Sequence, residues 1–154
     1  MSIITRLGAA ARNRTTYRVG LLQARAFRVL KARTDEVLAP MGITSAHWAL
    51  LGLLFEKDSM RMTEVALELG VEAPFVTTLI SSLSKLKLVD TEPDPADSRA
   101  KRVFLTETGK AFVPKTEAHV RTAMRGLVAG TTVGDLASYL GVLEAIIANS
   151  EERA

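Results

Sequence analysis

A chain of 154 residues with 47% hydrophobic side chains can bury one good core, so a single domain over 1–154 is expected and nothing points to disorder. The absence of cysteine excludes disulfides, thiolate metal sites and cysteine redox chemistry and suits a reducing cytoplasm; His47 and His119 lack ligand-like spacing, so no metal or other cofactor is expected. The net charge of +3 is divided unevenly: Arg6, Arg12, Arg14, Arg18, Arg25, Arg28, Lys31 and Arg33 precede the first acid, whereas from Gly126 onward Asp135, Glu144, Glu151 and Glu152 face Arg153 alone. Such a start suits a nucleic-acid arm or a basic helix docked on the acidic end of the chain. A transit peptide fits less well, because such peptides are normally removed.

Tyr17 to Leu38 contains no proline and predicts a long helix that stops at Pro40 and Gly42, with apolar residues on more than one face, as in a helix packed on several sides. GITSAHW opens a second helix, with Thr44 as N-cap, Ile43 and Trp48 as a hydrophobic staple, and Leu51, Leu54 and Phe55 on the buried side. The run Trp48 to Phe55 is the longest apolar stretch and much too short to span a bilayer, so no membrane is expected.

MRMTEVALELG predicts a few extended residues, then a short helix capped by Thr63 and closed at Gly70. In EAPFVTTLISSLSKLKLV, Val76, Leu79, Ile80, Leu83 and Leu86 recur at helical steps, opposite Thr77, Thr78, Ser81, Ser82 and Lys85. Two amphipathic helices joined at Gly70 to Ala73 make a helix-turn-helix. Two strands follow, Leu88 to Pro93 and Ala100 to Leu105, with a loop between them longer than a hairpin needs, as though its tip presents something. Thr106 caps the next helix, a break falls at Gly126 to Gly130, and Thr132 with Asp135 forms a capping box ahead of the stripe Leu136, Leu140, Leu143 and Ile147. The fold class is thus mainly α (α+β): a winged helix-turn-helix at 44–106, with N- and C-terminal dimerisation helices at 10–40 and 107–151 whose spare apolar surface a second copy would cover.

GIT followed by HW at Gly42 to Trp48, the helix-turn-helix from Thr63 to Val89, the Asp97 to Arg102 wing and LTETG at Leu105 to Gly109 resemble the MarR family of bacterial transcription regulators. The resemblance covers roughly residues 20–147 and implies a homodimer whose recognition helices enter major grooves of double-stranded DNA and whose wings reach minor grooves; many proteins of the family release DNA when a small, often aromatic, acid binds between the dimerisation and DNA-binding parts. On that basis the DNA-facing set is Thr44, Pro74, Thr77, Thr78, Ser81, Ser82, Lys85, Asp97, Arg99, Lys101 and Arg102. Arg99 at the hairpin tip suits a narrow minor groove, and Lys101 and Arg102 suit phosphates. Asp97 would orient the Arg99 guanidinium, a role taken from the family; an ordinary surface ion pair is the competing reading.

Family members commonly carry arginine where this chain has Thr78, further charges at Ser81 and Ser82, and glycine at Lys87. With Lys85 as the one cation on that face and Glu72 near its start, a weak or unusual sequence preference is expected. For an effector, Arg18, Arg25, His47 and Trp48 are the candidates, with His47 better read as a helix-start side chain and Trp48 as a core anchor. No Ser-His-Asp arrangement, phosphate-binding glycine loop or paired carboxylates in an apolar frame argues for an enzyme. The function expected is a DNA-binding transcriptional regulator, a repressor relieved by a small ligand. The alternative is a winged-helix dimer that has lost specific DNA binding and serves as a ligand sensor or interaction module.

Overall fold

The computed structural model describes residues 16–151. Arg6, Arg12 and Arg14, candidates for a nucleic-acid arm, lie outside them, as does the first part of the 10–40 helix. Helix α1 (Thr16–Leu38) runs into a short 3-10 turn, Ala39–Met41, that Gly42 ends in the left-handed conformation at φ 74°. Only the C-terminal end of α1 reaches the core, where Leu38 is fully buried, while Tyr17, Leu21, Leu22, Phe27 and Val29 lie exposed. The expected packing on several sides is therefore not met within one chain.

Helix α2 (Ser45–Lys57) contributes Leu50, Leu51 and Leu54 to the core. Phe55 was expected there too but stands 49% exposed, because Leu51 and Leu54 already fill the inward positions of that turn. The chain then forms β1 (Ser59–Arg61), α3 (Met62–Leu69), α4 (Ala73–Lys85), β2 (Val89–Asp94), β3 (Asp97–Leu105) and α5 (Glu107–Arg125). The three strands make one antiparallel sheet in the order β1-β3-β2. Met60, Val89, Val103 and Leu105 turn inward from the sheet onto Val65 of α3 and the buried face of α4.

Helix α3 is not capped by Thr63. Its N-cap is Arg61, at the end of β1, whose backbone N–H donates to the Glu64 carboxylate at 2.7 Å, so the helix begins a residue or two earlier than the threonine suggests. Gly70 closes α3 at φ 62°, as expected.

The joint between α4 and α5 is tightly built. Leu88 N–H donates to the Leu83 carbonyl and Lys87 N–H to the Ser84 carbonyl, a Schellman closure that holds Lys87 at φ 60°. The Thr106 hydroxyl donates to the Lys87 carbonyl at 2.6 Å and accepts the Gly109 N–H at 3.0 Å. A Cβ at Gly109 would stand 2.0 Å from the Leu88 carbonyl oxygen, which is why the LTETG motif ends on glycine.

From Arg125 the chain forms a second compact unit. In it Thr132 and Asp135 close the expected capping box: Thr132 N–H donates to the Asp135 carboxylate at 2.8 Å and Asp135 N–H to the Thr132 hydroxyl at 3.1 Å. The Thr132 N–H, and after it the Thr132 hydroxyl donating at 2.7 Å, hold the Asp135 carboxyl below its ordinary range. Helix α6 (Val133–Glu151) exposes Leu136, Leu140 and Ile147, with Leu143 half-buried. No single helix among the described residues is long and apolar enough to cross a membrane.

Candidate nucleic-acid interface

Helix α4 divides its side chains as the periodicity predicts. Val76, Leu79, Ile80 and Leu83 are buried, whereas Pro74, Thr77, Thr78, Ser81 and Lys85 are exposed and Ser82 is half-buried. Leu86 departs from the pattern at 41% exposed, because it is the C-cap and lies past the last helical turn. The hydroxyls of Thr77 and Thr78 donate to the carbonyls of Ala73 and Pro74 at 3.2 and 3.1 Å. Their protons are therefore spent on the helix itself, and what they offer outward is an oxygen acceptor and a methyl group.

The wing differs from the expected long loop. β2 and β3 run to the tip and are joined by Pro95 and Ala96 alone, with Asp94 opposite Asp97 and a register irregularity at Pro93 and Asp94. Two prolines look like loop signals, but β2 is an edge strand, where a missing N–H costs nothing on the open side.

Asp94, which is not among the expected DNA-facing residues, holds the turn. Its side chain is 2% exposed and accepts from Arg61 Nε at 2.6 Å, Arg61 Nη2 at 3.2 Å, Arg102 Nη1 at 3.3 Å and the Ala96 N–H at 2.8 Å. The Arg61 guanidinium, then the Ala96 N–H, hold its carboxyl far below the usual carboxylate range. The signal available in the sequence was Asx-turn chemistry, a carboxylate two residues ahead of a turn amide.

Arg102 is correspondingly occupied. Besides Asp94 it donates from Nε to the Ser59 hydroxyl at 3.0 Å and from Nη2 to the Ser59 carbonyl at 2.9 Å, tying β3 to β1. It braces the wing rather than standing free for phosphate. Asp97 does not orient the Arg99 guanidinium as expected: its carboxylate accepts the Arg99 backbone N–H at 3.0 Å, a bond within the turn that leaves the side chain outside. Arg99 and Lys101 are exposed and take part in no ion pair among the described residues.

At the start of α2 the Thr44 hydroxyl caps the helix, and the Thr44 N–H donates to His47 Nδ1 at 3.1 Å. The neutral imidazole must then carry its proton on Nε2, which is buried without a partner among the described residues. Burial lowers the His47 pKa below its ordinary value. His47 is thus a capping side chain.

Beside it, a cleft of about 410 Å³ is lined by Phe27, Leu30, Lys31 and Thr34 of α1, Ser45, Ala46, Trp48 and Ala49 of α2, and Leu69, Val71 and Phe75 around the turn between α3 and α4. Of the four ligand candidates only Trp48 lines it. Arg18 and Arg25 are exposed on α1 and do not line it. The cation that does line it, Lys31, is paired with Asp35 at 2.5 Å, and the other oxygen of Asp35 accepts the Ser45 N–H at 2.6 Å. Both bonds lower the Asp35 pKa, the Lys31 bond more.

Two helices joined by a short turn, one with a free polar face, followed by a braced hairpin that projects cations, define a winged helix-turn-helix protein flanked by long helices. The model of the MarR family matches residues 41–100, from the turn before α2 into β3. A MarR-family transcriptional regulator from a Rhodococcus species has the same fold at TM-score 0.80 and 22% identity, over 86% of this chain and 94% of that one. A mutant MarR from E. coli complexed with operator DNA aligns at TM-score 0.73 and 22% identity, over 83% and 92%. Bordetella bronchiseptica BpsR, whose DNA binding is regulated by 6-hydroxynicotinic acid, aligns at TM-score 0.73 and 23% identity, over 83% and 91%. The chain thus shares the winged helix-turn-helix fold of these regulators and is similar to the MarR family over residues 41–100.

Proposed function

We propose that the chain is a homodimeric, sequence-specific DNA-binding transcriptional regulator, acting as a repressor that a small ligand relieves. The observation that carries this reading is the wing: a two-residue turn, pinned by the buried Asp94, presents Arg99 and Lys101 unpaired beside a helix whose polar face is free. In such an arrangement Arg99 would enter a minor groove while α4, with Thr77, Thr78, Ser81 and Lys85, lies in the adjoining major groove. Thr44 and Pro74, exposed at the starts of α2 and α4, would flank it.

A second copy is the natural cover for the exposed apolar residues of α1 and α6, so that 10–40 and 107–151 form the dimerisation part and 44–106 the DNA-binding part. Dyad-related α4 helices would then stand about 34 Å apart, one turn of DNA. The cleft between α1 and α2 is the seat for the effector. Because its one lining cation is already neutralised by Asp35, an uncharged aromatic compound suits it better than the aromatic acid the family suggests.

The sparse charge of α4, with Lys85 alone, is the observation that favours the second reading, a winged helix that kept its fold and lost its sequence preference. A salt titration of binding to labelled duplex from upstream of the coding region, against scrambled competitor, separates the two. Competitor-resistant binding with a steep salt slope supports the regulator; equal binding to both duplexes favours the second reading. Within the regulator, Arg99→Ala is expected to weaken cognate binding several-fold with the dimer intact.

A further inference from the structure

We infer that the cleft between the start of α3 and the outer half of β3 seats a phosphodiester of the DNA backbone, with Arg61 as its contact and Asp94 as the residue that positions it. Arg61, Met62 and Thr63 line one side, and Arg99, Ala100 and Lys101 the other. Three of these six side chains are cationic and none is acidic. The volume of about 300 Å³ is ample for a phosphate group with part of its sugar.

Arg61 is the member that no periodicity or family motif singles out. Its Nε and Nη2 both donate to Asp94, which fixes the plane of the guanidinium in a two-point grip and leaves Nη1 and one N–H of Nη2 uncommitted. A side chain held this way has little rotamer freedom left to lose when it meets an anion. It is also 40% exposed, so the free edge is reachable, whereas Asp94 beneath it is not.

Asp94 shares its single charge between Arg61 and Arg102, so the trio keeps one positive charge beside the unpaired Arg99 and Lys101. The nearby carboxylate of Glu64 is engaged by the Arg61 backbone N–H and does not line the cleft. A concave site of this sign, between the helix-turn-helix and the wing, lies where a DNA strand passing from major to minor groove would run.

The assignment rests on the DNA-binding reading above, and its test separates the two. Salt slopes for cognate and scrambled duplex are measured for the parent, Arg61→Gln, Arg61→Lys, Arg99→Ala and the double variant of Arg61→Gln with Arg99→Ala. Arg61→Gln is expected to weaken both duplexes by the same factor and to lower the slope by about one unit, while Arg61→Lys keeps the slope. In the double variant the two reductions add, to about two units. If Arg61 only braced the wing, Arg61→Gln would leave the slope of the Arg99→Ala background unchanged, and that result overturns the assignment.

Binding by the parent with an unaltered slope in Arg61→Gln also overturns it and leaves the DNA reading standing. A parent that binds no duplex overturns both. To separate DNA from a free anion, the Arg61 side-chain Nε–H resonance is followed during titration with duplex and with inorganic phosphate. A shift saturating with duplex and absent at equal concentrations of phosphate is expected; saturation by phosphate alone would make this a small-anion site and end the proposal.

Discussion

The wing and helix α4 are neighbours in the chain and opposites in construction. The wing is assembled from charges: Asp94 gathers Arg61, Arg102 and a turn amide, and Arg99 and Lys101 project beyond it. Helix α4 offers two threonine hydroxyls already bonded to its own carbonyls, the hydroxyls of Ser81 and Ser82, and one lysine at its end. On the DNA-binding reading, Coulomb attraction and counterion release would reside almost wholly in the first element, and base discrimination would fall to the hydroxyls and methyls of the second. A protein divided in this way should hold DNA by its wings and read it sparingly.

The largest effect is expected at the joint on which both elements are mounted. Gly109→Ala places a Cβ against the Leu88 carbonyl, between the end of α4 and the start of β2, where the closest contact at 2.0 Å is backbone and cannot yield as a flexible side chain would. A loss of about 3 kcal/mol in urea unfolding is expected. A loss below about 0.5 kcal/mol, the range of an ordinary surface substitution, would mean that α5 can slide away from the joint and that the wing is less rigidly placed than the contrast requires.

Next in size is the acid response of the wing. The Asp94 carboxyl has a folded pKa well below its unfolded one, so its contribution to stability is present above pH about 4 and is lost as pH falls through the folded value. Asp94→Asn should therefore be less stable than the parent at pH 7, with the gap narrowing progressively as pH falls from about 4 to 2 and below. A gap that stays constant over that range in chemical denaturation would show that the wing is not held by this charge.

Thr78→Arg tests the contrast from the other side by giving α4 the cation it lacks. If α4 lies in a major groove, the salt slope should rise by about one unit, with affinity improved by about tenfold where a guanine stands opposite. No change in slope would place that face away from DNA, and the division of labour between wing and helix would then have no meaning.

Why the two regions differed in legibility follows from the same construction. The buried face of α4, the Thr44 cap, the Gly70 stop and the Thr132–Asp135 box are local patterns within a few residues, and local patterns survive in a sequence. The brace of the wing joins Ser59 and Arg61 to Asp94 and Arg102, up to 43 residues apart, and depends on β1 pairing with β3. Nothing in the spacing of those residues announces it. Lys101 and Arg102 are adjacent and chemically alike, yet one is exposed and the other tied to Ser59, because successive strand side chains take opposite faces. Likewise Asp97 and Asp94 look interchangeable in the sequence; only the depth of Asp94 beneath two guanidinium groups distinguishes the carboxylate that organises the wing.

The smallest effect concerns Lys87, which stands at a left-handed position that favours glycine. The Schellman closure of α4 requires a left-handed residue at that position, and Lys87 adopts φ 60° to supply it. A side chain there costs on the order of 1 kcal/mol, so Lys87→Gly should stabilise the fold by about that much despite the added freedom of the unfolded chain. The same substitution removes a cation near the end of α4, which makes it a clean probe of the contrast between the elements. If α4 contributes little charge to DNA binding, the variant should be more stable and bind with an unaltered salt slope. A more stable variant whose slope falls by about one unit would instead identify Lys87 as a phosphate contact, retained at the cost of backbone strain, and would move part of the electrostatic grip from the wing to the helix.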